Sequence, residues 1–94
     1  MTGEYAGIPA QLRAQHADVQ AKFQANVEEG RHKPIDWAAR ADIQDELAMV
    51  CGQIADALWG SDALIAELAF HAQRSWHDVA GDSRQLAERA GGAR

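Results

Sequence analysis

The chain has 94 residues, fourteen acidic against nine basic side chains, a formal net charge of −5 and only 6% aromatic residues. That length bounds one small domain, and the acidic balance argues against a surface built for phosphate backbones, so nucleic acid is not an expected partner. Twenty of the hydrophobic residues are alanine, which leaves few large side chains for a core and favours supplementing it by oligomerisation.

Alanine abundance, few β-branched residues and well-separated Gly and Pro make this a helical composition. Residues 1–8 read as a flexible N-terminus. A first helix over about 9–29 starts at Pro9, which suits a first turn, and ends at Gly30. Pro34 breaks the helix ahead of a second one over about 36–59, capped by Asp36. A third over about 62–80 is capped by Ser61 or Asp62. Gly81 ends it, and Asp82 with Gln85 has capping-box spacing for a short last helix before a mobile tail in 81–94. Whether helices two and three run on through Gly60 is left open by the sequence. The expected fold is all-α, an antiparallel three-helix bundle or a long helical hairpin with a short C-terminal helix.

Apolar periodicity orients each helix. In the first, Leu12, His16, Val19, Phe23 and Val27 form one stripe; in the second, Ile43, Leu47, Val50, Ile54 and Leu58 do so. In the third the stripe is Leu64, Leu68, Ala72, Trp76 and Val79, with Ile65 beside it. Helix two carries a second face. Trp37, Ala41, Ala48, Gly52, Ala55 and Trp59 cluster roughly 120–140° from the stripe that contains Val50, at about 100° per residue. Small residues bracketed by two indoles suit a partner interface. Either Trp could instead cover a connection at its end of the helix. Phe70, aligned with Ala63, Ala66 and His77, is expected to be a second contact.

Candidate chemistry is sparse. Glu29 and His32 match Glu-x-x-His, the helix-borne spacing of di-iron bundles, but there is one copy and it straddles Gly30. Glu67, His71 and Asp78 share a flank of helix three, where a carboxylate beside an imidazole suits a metal-binding or enzymatic site; a solvated pair is the plainer reading. His16, polar within an apolar stripe, is a possible seam switch. Cys51 reads as a small buried hydrophobe, and being single it excludes an internal disulfide. No nucleophile elbow or phosphate-binding glycine loop is visible. No enzyme activity, metal or cofactor is therefore expected. Without a basic n-region, an apolar h-region or an apolar run of about 18 residues, the expected location is cytoplasmic, with no membrane partner.

Trp59-Gly60 at a helix boundary is similar to the turn of the WXG-type substrates of type VII secretion, helical hairpins with Trp-x-Gly at the turn. The spacer residue is absent here, and no tyrosine follows Tyr5 to supply their C-terminal Tyr-x-x-x-Asp/Glu signal. A WXG-like secreted effector is thus an alternative. The main expectation is a non-enzymatic protein–protein interaction module. It would be a small subunit, adaptor or accessory factor of a bacterial or phage assembly, binding a second copy or another protein.

Overall fold

A computed structural model describes residues 7–92. It contains three helices, α1 (Ala10–Glu29), α2 (Trp37–Leu58) and α3 (Ala63–Gly92), and no strand among the described residues. The expected N-terminal segment lies mostly outside those residues, except that Ile8 is buried in the core; the end of the tail, 93–94, lies outside them too.

Local chemistry sets the helix ends. Pro9 sits at φ −54° and its carbonyl accepts the first bonds of α1, from Leu12 N–H at 3.0 Å and Arg13 N–H at 3.1 Å. After α1, Arg31 and His32 continue the coil with tighter bonds to Glu28 and Glu29, until Pro34 stops it. The Asp36 carboxylate accepts from Ala39 N–H at 3.0 Å and caps α2. Residues 59–62 form a turn in which Asp62 caps α3 through Ile65 N–H at 3.1 Å. α2 and α3 are therefore two helices, folded back on each other.

Two features of the third helix correct the sequence reading. α3 passes through Gly81 without a break, so one 30-residue rod replaces the predicted helix to residue 80 and short C-terminal helix. A glycine inside a helix costs only about 1 kcal/mol, and here the flanking Ala80 and Ser83 are both buried. The packed face of α3 also differs. A run of buried and half-buried residues, Ala66, Ala69, Gln73, Trp76, Ala80 and Ser83, repeats every three or four positions. Ile65, Ala72, Gly81, Leu86 and Ala87 are half-buried beside it, so Ile65, Ala72 and Trp76 of the expected stripe do turn inward. Leu64 and Leu68, expected in the stripe, are 70% and 57% exposed, and Val79 is exposed as well.

The reason is the small-residue face of α2. Ser83 Oγ donates to Gln44 Oε1 at 2.7 Å, and Gln73 lies directly over Gly52. These contacts place the phase shared by Ala41, Ala48 and Ala55 against α3. Small side chains on both helices let the backbones approach closely, and α2 and α3 pack along most of their length. α1 lies on a different side of α2, where Leu12, Val19 and Phe23 meet the stripe containing Ile43, Val50 and Ile54. No Cα of α1 comes within 8 Å of one in α3 among the described residues. The two helices meet through side chains, Phe23 standing edge-on to Trp76 with centroids 5.4 Å apart. α2 is thus the central rod, and the molecule is elongated, 53 × 22 × 16 Å.

Candidate functional site

The predicted interface on α2 divides into three parts. Ala41, Ala48 and Ala55 are at most 2% exposed, covered by α3 of the same chain. They are not free for a partner, which corrects the expectation for these residues. The second apolar face of α2 did require a neighbour; α3 supplies it.

Trp37 is separate from Trp59 and half-buried at the start of α2. Its ring faces the Arg40 guanidinium at 5.1 Å, and Arg40 also lies 5.9 Å from the Phe23 ring. Arg40 Nε donates to Asn26 Oδ1 at 2.6 Å, and Asn26 Nδ2 donates to the Asp36 carbonyl at 3.5 Å. Trp37 therefore belongs to a clamp closing the α1–α2 connection. Sequence reasoning missed Arg40 and Asn26, since nothing local shows that residues fourteen apart will meet.

The remaining residues come together at the outer edge of α2 and α3, away from α1. Gly52, Trp59 and Phe70 line a shallow cleft of about 270 Å³ with Met49, Gln53, Asp56, Gln73 and the buried Ala55. Trp59 is 53% exposed, Met49 51% and Phe70 41%. Gly52 forms part of the floor, where a Cβ would stand 2.5 Å from Gln73 Nε2. Met49 is an addition to the predicted set. Its signal was a large apolar residue between Asp42 and Asp56, each seven positions away and so on the same outer face of α2. Neither aspartate makes a salt bridge among the described residues. Further along this edge, Asp45 binds both Arg84 and His77, the latter at 3.5 Å, and the carboxylate raises the Arg84 pKa through its hydrogen bond and charge.

The other candidates stay apart. His71 Nε2 is 3.8 Å from Glu67 Oε2, both well exposed, with Asp78 two turns further along. His32 pairs with Glu28 at 3.1 Å and Glu29 with Lys33 at 3.7 Å, so the Glu-x-x-His pair does not meet. No group of three or more His, Cys, Asp or Glu residues could hold a metal among the described residues. His16 is half-buried and lines a second cleft of about 390 Å³ with Ile8, Arg13, Ala17, Gln20 and Ile54. Burial pushes the Cys51 thiol pKa up, which keeps it protonated and unreactive. No helix is long and apolar enough to cross a membrane among the described residues.

Comparison with family models, curated proteins and solved structures finds no match. The functional reading therefore rests on this chain's own surface.

Proposed function

We propose that the chain is a non-enzymatic interaction module, a small subunit or accessory factor that docks another protein through the cleft around Trp59, Phe70 and Met49. The observation behind this reading is that three large apolar side chains stand exposed around one depression. Isolated exposed apolar residues are ordinary, whereas a cluster with an aromatic anchor marks a binding surface. Asp42 and Asp56 on the same outer face set the complement: a partner segment with a bulky apolar side chain for the cleft and basic residues beside it.

The test is affinity capture from the source cells with the native chain and the Trp59→Ala and Phe70→Ala variants, followed by titration of the purified partner. The expected result is a partner with basic residues at its contact that binds the native chain and weakens at least tenfold with either variant, as hot-spot truncations do. Equal affinity for all three proteins would overturn the reading. Because Trp59 and Phe70 are exposed, both variants should keep the native helical content by circular dichroism.

A further inference from the structure

α3 carries two seams, and one is open. Beside its buried seam, displaced by one residue and so turned by about 100°, run Leu68, Ala72, Ser75, Val79, Asp82 and Leu86. They alternate four and three positions apart, the spacing of a helix that packs along a second helix. α2 covers the first seam. α1 meets α3 through Phe23 on Trp76, a residue of the first seam; in the second, Ala72 and Leu86 are half-buried, while Leu68, Ser75, Val79 and Asp82 remain exposed.

We propose that a second copy of this chain occupies the open seam, with the two α3 helices antiparallel about a two-fold axis near residues 73 and 74. The residue pattern selects this occupant. In an antiparallel pair, positions facing each other have a constant sum of residue numbers. The register that sets Leu68 of one copy against Val79 of the other also sets Ala72 against Ser75, so small side chains meet at the crossing and the backbones can approach. On the flank, the same register brings His71 beside Asp78 of the second copy, and the symmetry repeats the pair. Both residues point outward on the isolated chain. The Glu67–His71–Asp78 flank, which assembles no site within one chain, thereby finds a use as charge complementarity between copies. The poor matches are Asp82, which falls opposite Ile65, a residue packed against its own chain's core, and Leu86, which falls opposite Ser61 in the turn before α3. This face is distinct from the cleft at Trp59, and the inference does not rest on the function proposed above.

Sedimentation equilibrium of the full chain across a concentration series tests it. The expected result is a reversible shift from 10.2 kDa to twice that mass. Leu68→Glu should abolish the shift while circular dichroism stays native, because the side chain is exposed in the monomer. His71→Asp should weaken the dimer roughly fivefold, as two exposed pairs would, and His71→Asp combined with Asp78→Lys should restore it. Asp82→Leu should tighten it. Trp59→Ala should leave it unchanged. A native chain that stays at 10.2 kDa at several hundred micromolar would overturn the proposal. So would a dimer that survives Leu68→Glu, or one that is lost with Trp59→Ala.

Discussion

The two sides of α2 are packed by opposite means. Toward α1 it presents large aliphatic side chains, Ile43, Val50 and Ile54, which meet Leu12, Val19 and Phe23 with the helices further apart. Toward α3 it presents alanines and Gly52, and the helices close on each other. The first interface is held by side-chain volume. The second is held by its absence, because small residues on both rods let backbone lie near backbone. A row of alanines beside tryptophan thus marks a close approach without saying whose backbone approaches. Here it is the chain's own.

Substitutions that reverse these two logics sharpen the contrast. The largest effect is expected from Leu47→Ala. This side chain is 2% exposed at the heart of the core, and its truncation should cost about 2–5 kcal/mol in denaturant unfolding. Ala48→Leu tests the other side: at a position 0% exposed it forces the two rods apart and should cost about 1–3 kcal/mol, although it adds apolar surface. If Ala48→Leu instead stabilises the chain, the close α2–α3 seam is wrong. Gly52→Ala should change stability by less than about 1 kcal/mol. The gain in helix propensity offsets the shift demanded of Gln73, whose side-chain end is what a Cβ would meet. A loss above about 2 kcal/mol would show that Gln73 cannot move and that the cleft floor is rigid.

Much of this architecture was legible in the sequence, for a physical reason that also explains what was not. The three-helix, all-α fold follows from composition and from breakers at Pro34 and Gly60. The stripe through Leu47, Val50 and Ile54 was visible because volume and periodicity coincide there. On α3 they part. Ala66, Ala69 and Ala80 pack together with the large Ile65 and Trp76, while Leu64, Leu68 and Val79 face outward, so a reading weighted by size places the stripe partly off the packed face. Gly81 misled for a related reason: its local cost is small beside the packing of Ala80 and Ser83 around it. Of the candidate interface, Gly52, Trp59 and Phe70 lie around one cleft, since helical phase brings the α2 members together. Met49, Asp56 and Gln73 complete it across a helix pair whose relative rotation only tertiary packing decides. The Arg40–Asn26 clamp was invisible for the same reason.

The buried bond from Ser83 to Gln44 has a further consequence. Two rods lined with near-identical small side chains resemble smooth rails, along which α3 could slide by a heptad and still bury alanine on alanine. The amide of Gln44 paired with the hydroxyl of Ser83 makes a notch, because a slip would break that buried bond. Together with the outer pairs from Asp45 to Arg84 and His77, this buried contact fixes where a thirty-residue helix stops.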